Sequence, residues 1–265
     1  MATPTDTSST SNPSMNSSPS PSAAILLIGN EILSGRTQDL NLAYMATRLA
    51  EHGIRVTEAR VIPDIEDVIV KTLNELRADN TYVFTTGGIG PTHDDITADC
   101  IAKAFGVPID IHPQAEKVLM DYWAGRNVTP NSDRLRMARI PDGASLIDNP
   151  VSAAPGFCME NVYVMAGVPR IMQAMFDSIL PTLQQGDVIA SVSVRCNLGE
   201  GDLASPLRDL QAQYPNVDLG SYPGKHAGAY AVTLVARSTD TNLLQDVQQA
   251  LITLIANAGG QLIHE

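Results

Sequence analysis

A glycine-rich segment with two adjacent carboxylates is the part of the sequence best suited to chemistry. It spans Thr85–Thr97 and reads TTGGIGPTHDDIT. Glycines let backbone N–H groups approach a phosphate closely, and a helix that follows adds the attraction of its dipole. The segment lacks the GK[ST] ending of a P-loop and does not match GxGxxG. A simple turn is the alternative, but three glycines, a proline and two acids favour a ligand site.

Acidic residues follow three successive predicted strands and bear on metal binding. Asp94 and Asp95 would repel a bound phosphate unless a divalent cation lay between them. We therefore expect a Mg²⁺ or similar site with oxygen ligands from Asp94, Asp95 and Glu31. Asp64 follows the second strand, so consecutive strands deliver carboxylates to one edge. The alternatives are that Asp94 or Asp95 caps the next helix, Asp64 is an N-cap, and Glu31 pairs with Arg36.

One histidine and a small basic group are further candidates near this segment. His93 could ligate a metal or transfer a proton, although a histidine in a turn is more often solvated or bonded to backbone. Arg134, Arg136 and Arg139 could contact ligand phosphates, with a solvated helix surface as the default interpretation.

Alternating strands and amphipathic helices must position the glycine segment. Strands are predicted at Ala23–Ile28, Arg55–Ile62, Thr81–Thr86 and Val162–Met165. Helices are predicted from Asp39 to Gly53, after Pro63-Asp64, after Asp94 or Asp95, and over Pro113–Arg126, Asn131–Arg139 and Pro169–Leu180. This alternation indicates a three-layer α/β fold with a mostly parallel sheet. The glycine segment then lies at the carboxyl edge, where ligands bind.

The pattern of elements changes after residue 185. Strands and helices are predicted in the order β-α-β-β-α at Val188–Arg195, Asp202–Tyr214, Val217–Ser221, Ala229–Arg237 and Thr241–Ala258, which indicates a small α+β domain. We therefore predict domains at 23–185 and 186–265, with a linker at Gln184–Asp187. Residues 1–22 are mostly Ser, Thr and Pro, and we expect them to be disordered.

Composition limits the possible partners. The formal net charge is −12 with no long basic cluster, which argues against nucleic acid. The sequence has no apolar run long enough for a membrane span and no secretory signal, so we expect a cytoplasmic protein without a membrane partner. Cys100, Cys158 and Cys196 are far apart, which favours reduced and mostly buried thiols. We also expect a homo-oligomer.

Several segments resemble the molybdopterin-binding (MoaB/Mog-like) domain family. The segment TTGGIGPTHDDIT is similar to the signature of that domain. IGNEILSG, which begins at Ile28, is similar to the opening motif of the competence/damage-inducible protein A (CinA) branch, which the molybdopterin-binding domain of FAD synthase shares. NPVSAAPGF at Asn149–Phe157, MAGVPRIMQAMF at Met165–Phe176 and GSYP at Gly220–Pro223 match the same branch. The likeness spans residues 23–265.

The resemblance implies a metal-dependent pyrophosphatase that acts on ADP-ribose- or FAD-like dinucleotides. Asp64 and Asp95 are then the catalytic acids, and Glu31, Asp94 and Asp95 hold the metal. By the resemblance, Gly87, Gly88 and Gly90 form the loop that holds the phosphates. The other ligand contacts that we predict are Asn30, Glu31, Thr86, Pro91, Thr97, Gly156, Gly167 and Pro169. The cation would activate water, the glycine loop would stabilise phosphate charge, and Asp64 would act as a base or orient the water.

Two other functions are open on the same resemblance. One is molybdopterin binding or adenylylation in molybdenum cofactor biosynthesis, and the other is a non-catalytic nucleotide- or pterin-binding module. The chain departs from the branch where GDE becomes GNE, which leaves a neutral Asn30, and where PGxPxE becomes AGVPRI, which ends in Ile171. No segment resembles the amidohydrolase domain of CinA or the transferase domain of FAD synthase, so we expect neither deamidation nor FAD synthesis.

Overall fold

Strands and helices alternate through the first two thirds of the chain. The computed structural model describes residues 20–226 and 228–263, so most of the Ser/Thr/Pro-rich tail lies outside the described residues. The strands before residue 166 are β1 (Ser22–Ile28), β2 (Arg55–Ile62), β3 (Tyr82–Thr86), β4 (Ile109–Ile111), β5 (Arg139–Pro141), β6 (Ser145–Ile147), β7 (Gly156–Met159) and β8 (Val162–Met165).

Most of these strands form a single sheet. Within the described residues its order is β2-β1-β3-β8-β7-β6, and β4 and β5 form a separate antiparallel ribbon. Strands β2, β1, β3 and β8 run parallel, whereas β7 pairs antiparallel with β8 and β6 pairs antiparallel with β7. The parallel order brings the carboxyl ends of β2, β1 and β3 next to one another, where the predicted site residues follow.

Helices cover both faces of this sheet. They are α1 (Asn30–Leu33), α2 (Asn41–Glu51), α3 (Glu66–Asp79), α4 (Thr97–Phe105), α5 (Pro113–Ala124), α6 (Ser132–Leu135) and α7 (Pro169–Ile179). One apolar cluster packs α3, α4 and α5 against the sheet, and a second packs α2 and α7 against the opposite face. The predicted three-layer α/β fold with a mostly parallel sheet is therefore confirmed.

The C-terminal part has its own sheet and its own core. Its elements are β9 (Ala190–Cys196), α8 (Glu200–Gln213), β10 (Asp218–His226), β11 (Ala229–Ser238) and α9 (Thr241–Asn257). The strands pair antiparallel in the order β10-β11-β9, and a separate apolar cluster lies under the two helices. The β-α-β-β-α order matches the prediction for a small α+β domain. No helix in the described ranges is long and apolar enough to cross a membrane.

The predicted linker is bonded to the larger domain. The N–H of Gln184 donates to the Tyr82 hydroxyl at 2.7 Å, and the N–H of Gly186 donates to the carbonyl of His52 at 3.1 Å. The chain therefore leaves the first domain along a hydrogen-bonded path, and the exact boundary between the domains stays a prediction.

Two local predictions were wrong. The turn predicted at Asn30 and Glu31 is the start of α1, because the N–H of Ser34 donates to the carbonyl of Asn30 and closes a helical turn. Arg139, predicted to be helical, begins β5, because its backbone pairs with Ile111 in the ribbon. The short strands β4 to β7 were not predicted, since three or four residues carry little periodicity.

The fold begins before Ala23, where the predicted tail was expected to end. Ser22 is the first residue of β1, and its N–H donates to the Thr81 hydroxyl at 3.1 Å. The carbonyl of Pro21 accepts the N–H of Arg55 at 2.9 Å. The last residues of the predicted tail therefore extend the pairing of β1 with β2.

A chain that starts at Ala23 should be less stable than one that starts at Ser20. It loses the hydrogen bonds of Pro21 and Ser22, each worth about 0.5–1.5 kcal/mol. Since 1 kcal/mol corresponds to about 2–4 °C in a protein of this size, we expect a melting temperature several degrees lower. Differential scanning calorimetry of the two chains measures this. Equal melting temperatures would show that these two residues add no stability.

The three cysteines are free thiols, and Cys100 and Cys196 are buried while Cys158 is half-buried. Burial raises the pKa of Cys100 to about 12. A thiol that stays protonated is a poor nucleophile and a poor metal ligand, so Cys100 belongs to the core.

Candidate functional site

The glycine segment forms a loop between β3 and α4. Gly87 and Gly88 have φ values of 103° and 68°, a region that glycine adopts without strain. A Cβ atom would collide with the Ile28 carbonyl at Gly87 and with the Thr97 hydroxyl at Gly88. Thr97 is fully buried, and it donates its N–H to the Gly88 carbonyl and its hydroxyl to the Gly87 carbonyl. Thr97, a predicted ligand contact, therefore stabilises the conformation of the loop through these two buried hydrogen bonds.

The loop presents backbone donors that have no acceptor among the residues that the structure describes. The N–H groups of Gly88, Ile89 and Gly90 donate to no acceptor in the described part of the chain. Successive N–H groups beside residues with positive φ form a concave arrangement that binds anions. The loop can therefore hold a phosphate through its backbone.

Asp95 closes a turn within the loop. Its Oδ2 accepts the Thr92 N–H at 2.8 Å and the Thr92 hydroxyl at 2.5 Å. Helix α4 begins at Thr97, and no side chain caps it. The prediction that Asp94 or Asp95 caps this helix is therefore wrong, because the Asp95 carboxylate is engaged two residues before the helix starts. Hydrogen bonds from Thr92 and from its own backbone lower the pKa of Asp94, which keeps it ionised.

The acids after β1 and β2 lie at the same edge as the loop. The Asp64 carboxylate accepts the N–H of Asn30 at 2.9 Å, which ties the end of β2 to the start of α1. Helix α3 begins at Glu66 without a side-chain cap, so Asp64 is not an N-cap. The Glu31 carboxylate folds over Gly29, where an added Cβ would lie 2.6 Å from its oxygens.

These acids do not assemble into a closed metal site. Among residues 20–226 and 228–263, no three His, Cys, Asp or Glu side chains come together as a possible ligand set. The Asp95 carboxylate is engaged with Thr92. The His93 side chain is 99% exposed, with its Nδ1 4.0 Å from the Asp94 carboxylate. Metal binding by Glu31, Asp94 and Asp95 stays a prediction.

Arg136 is the basic residue best placed to bind an anion at the loop. Its Nη2 donates to the Asp95 carbonyl at 3.3 Å, and its buried Nε has no partner among the described residues. Arg139 instead forms a two-pronged ion pair with Asp99, at 2.7 and 3.0 Å, which neutralises its charge. No carboxylate in the described part of the chain neutralises Arg136 in this way.

A cavity of about 510 Å³ opens beside the loop. Its walls are formed by Pro91, Thr92 and His93 on one side and by Asn131, Asp133, Arg134 and Arg136 on the other. This volume is within the range of small-molecule sites. Arg134 and Arg136, for which a solvated helix surface was the default interpretation, therefore line a cavity.

A smaller cavity of about 40 Å³ lies where β1 and β3 end. Glu31, Thr86, Gly167 and Pro169, four of the predicted ligand contacts, line it together. Asn41 also lines it, and the sequence analysis did not include this residue. Its Nδ2 donates to the carbonyl of Gly167, 126 residues away in sequence, so no local pattern could have indicated it.

Gly156 is a predicted ligand contact that lines neither cavity. It lies in β7 and is buried, and a Cβ there would collide with the carbonyl oxygen of Val164 on β8. Its small size is required by strand packing.

Three buried polar atoms have no partner among the described residues. They are Asn41 Oδ1, Thr85 Oγ1 and Arg136 Nε, and all three belong to residues at or bonded to the ends of the loop. More than nine in ten buried polar groups in proteins are paired, and an unpaired one calls for an explanation such as a bound ligand. Their concentration here marks the carboxyl edge as the candidate site.

The fold and the loop define a three-layer α/β domain with a glycine loop at the carboxyl edge of its parallel strands. Residues 24–185 match the family model described as a probable molybdopterin binding domain, and residues 188–259 match the middle domain of FAD synthase. The chain therefore belongs to the family of probable molybdopterin-binding domains, and the resemblance seen in the sequence is confirmed.

Relatives support the CinA-like part of this resemblance. A protein of Pyrobaculum calidifontis is 36% identical, over 77% of this chain and 81% of its own length. A CinA-like protein of Salinibacter ruber is 32% identical over 87% of this chain, which spans 58% of that protein's length. The structure of the protein CinA, of unknown function, from Thermoplasma acidophilum has 31% identity and a TM-score of 0.57, and the match covers 62% of this chain and 98% of that one.

Proposed function

We propose that the chain is a nucleotide pyrophosphatase that hydrolyses ADP-ribose- or FAD-like dinucleotides. The observation that carries this proposal is the set of unused N–H groups at Gly88, Ile89 and Gly90, with Arg136 beside them. Such donors stabilise the negative charge that develops on phosphate oxygens when a phosphoanhydride is cleaved. Acidic residues at the same edge supply carboxylates that would accept a proton from water and bind a cation.

The proposed reaction is attack by water on one phosphorus of the dinucleotide. The oxygen of water forms a new P–O bond, the bond from that phosphorus to the bridging oxygen breaks, and two phosphomonoesters leave. Asp64 takes one proton from the water as general base, and the other proton stays on the new phosphate. The hydrogen bond from the N–H of Asn30 holds the Asp64 carboxylate in place for this role.

A divalent cation is part of the proposal. Mg²⁺ is commonly held by one or two carboxylates together with substrate phosphates, so it does not require a set of three protein ligands. Asp94 and Asp95, adjacent on the loop, would hold it, and when bound it would neutralise phosphate charge. Because the described acids form no closed ligand set, we expect Mg²⁺ to bind tightly only when the nucleotide is present. Calorimetric titration with and without ADP-ribose measures this.

The direct test is product formation. The purified protein is incubated with ADP-ribose, FAD, NAD and ATP, with Mg²⁺ or Mn²⁺ and with a chelator as the control, and AMP is measured by chromatography. We expect AMP from ADP-ribose or FAD, and in ¹⁸O-labelled water one label should enter a product phosphate. No AMP from any of these nucleotides with either metal would overturn the proposal.

Arg136→Ala should weaken binding of ADP-ribose by roughly ten- to hundredfold, since a hydrogen bond to a charged group contributes about 1.5–3 kcal/mol. Arg48→Ala is the matched control, because Arg48 lies on α2 in ion pairs with Glu51 and Asp177. Binding is measured by calorimetry. An Arg136→Ala protein that binds like the control would remove Arg136 from the site.

Molybdopterin binding or adenylylation is the second candidate, and the description of the matching family model favours it. The same loop would hold the phosphate of a pterin. Incubation with molybdopterin and ATP distinguishes the two, because adenylylation releases pyrophosphate and yields an adenylylated pterin, whereas hydrolysis of ADP-ribose yields AMP. Binding without either product would indicate a non-catalytic module.

A further inference from the structure

Asn41 is buried at the site without the usual structural reason for an asparagine at a helix start. It is the first residue of α2 and is only 4% exposed. The Asp39 carboxylate already accepts the N–H groups of Asn41 and Leu42 at 3.1 and 3.0 Å. Two of the free donors of the first helical turn are therefore satisfied by Asp39, and the Asn41 side chain caps none of them.

The orientation of the Asn41 amide is fixed by its neighbours. Nδ2 donates to the Gly167 carbonyl at 2.8 Å and to the Thr86 hydroxyl at 3.4 Å. Exchanging the nitrogen and oxygen atoms would place two acceptors 2.8 Å apart. Oδ1 is therefore an acceptor, and it has no donor among the described residues. Leaving a buried acceptor unpaired is costly, so this atom is suited to a donor that arrives with a ligand.

The small cavity at Asn41 also favours a small hydrogen-bond donor. Its volume of about 40 Å³ admits only a few atoms, since one water-sized probe takes roughly 10–15 Å³. The acidic residues Glu31 and Asp39 are among those that line it, and no Lys, Arg or His does so in the described part of the chain. Phosphate oxygens would be repelled here, whereas a hydroxyl group can donate to Oδ1.

The small cavity adjoins the glycine loop. Thr86 lines the cavity and directly precedes Gly87, and a Cβ on Gly167 would lie 3.3 Å from the Gly87 Cα. A ligand with its phosphates on the loop N–H groups can therefore place a group attached to them in the cavity. The loop side offers donors, and the Asn41 side offers acceptors.

We propose that Asn41 Oδ1 accepts a hydrogen bond from a ribose hydroxyl of the bound dinucleotide, which makes Asn41 a residue that determines specificity. This inference rests on the proposed function, because it takes the phosphates of that dinucleotide to lie on the glycine loop. It assigns the small cavity to a single hydroxyl of the sugar, and it predicts that the site distinguishes a ribose from a deoxyribose by the loss of one hydrogen bond.

The test compares ADP-ribose with analogues that each lack one ribose hydroxyl. Wild-type protein should bind one of these analogues roughly tenfold or more weakly than ADP-ribose, as expected when a buried acceptor loses its donor. In Asn41→Ala the same two ligands should bind equally, because the acceptor is gone. Binding is measured by calorimetry, and turnover is followed separately by the release of AMP.

Asn80→Ala is the matched control variant. Asn80 is also buried, but its Oδ1 accepts from Thr57 and its Nδ2 donates to the carbonyl of Leu76, at the opposite end of β3. It should lose stability and keep the preference for the hydroxyl. If Asn41→Ala does not fold, the wild-type comparison still decides, since it requires no variant.

The outcomes separate this inference from the proposed function. Equal binding of all analogues by wild type, or a preference that persists in Asn41→Ala, overturns the role of Asn41 even if AMP is formed. A preference that disappears in Asn41→Ala, without any release of AMP, supports the role of Asn41 and overturns the pyrophosphatase. Failure to bind ADP-ribose at all overturns both.

Discussion

Asp95→Asn should reduce dinucleotide turnover by about a hundredfold or more, the usual effect of removing a group that stabilises transition-state charge. The Asn side chain keeps an oxygen that can accept from the N–H and hydroxyl of Thr92, so the turn within the loop should persist. What is lost is the negative charge that would hold a cation beside the phosphates. Turnover is followed by AMP release, and folding by circular dichroism and thermal melting.

Asp240→Asn is the matched control. The Asp240 carboxylate also accepts two local N–H groups, from Asn242 and Leu243 at the start of α9 in the C-terminal part, and it should be neutral for turnover. Asp94→Asn shows whether the adjacent acid shares the role. Wild-type turnover in Asp95→Asn would mean that Asp95 only closes a turn, and the proposal for a metal at this loop would then fail.

Gly88→Ala should abolish ligand binding and lower the stability of the fold. Its positive φ is strained for alanine, and the added Cβ would collide with the hydroxyl of Thr97. Relieving this collision breaks the bond from Thr97 to the Gly87 carbonyl, so the unused N–H groups no longer point to one place. We expect a loss of at least about 2–3 kcal/mol in the free energy of unfolding, measured by urea denaturation.

Gly106→Ala separates strain from collision. Gly106 has the same φ of 68°, but an added Cβ would meet nothing within 4 Å. It should cost only the backbone strain of about 1–2 kcal/mol and leave ligand binding unchanged. Similar losses in the two variants would show that the contact between Gly88 and Thr97 does not shape the loop.

Much of the fold could be predicted from the sequence, because buried residues recur with the period of the helix or strand that contains them. The buried face of α3 contains Ile69, Thr72, Leu73 and Leu76, which is the face that the spacing indicated. Strand β2 was predicted with its observed bounds. The glycine loop was predicted at the end of β3 because paired glycines mark a backbone that other residues adopt only with strain.

The residues that complete the site could not be predicted in this way. Asn41 faces the cavity because it bonds to Gly167, and Arg136 reaches the loop through the carbonyl of Asp95, 41 residues away in sequence. The sequence does not indicate whether a charged or amide side chain is solvated or buried against a loop. Only the order of the strands decides which of these residues meet.

The sequence alone therefore determined the three-layer α/β class, the family and the position of the glycine loop, because each depends on neighbours close in the chain. The tertiary structure decided that Asp95 closes the loop instead of capping α4, that Gly156 packs between strands, and that Asn41 and Arg136 line two separate cavities. The turn of Asp95 with Thr92 is local, but it has no periodicity that a sequence pattern could show. The other facts depend on contacts between elements that are distant in sequence.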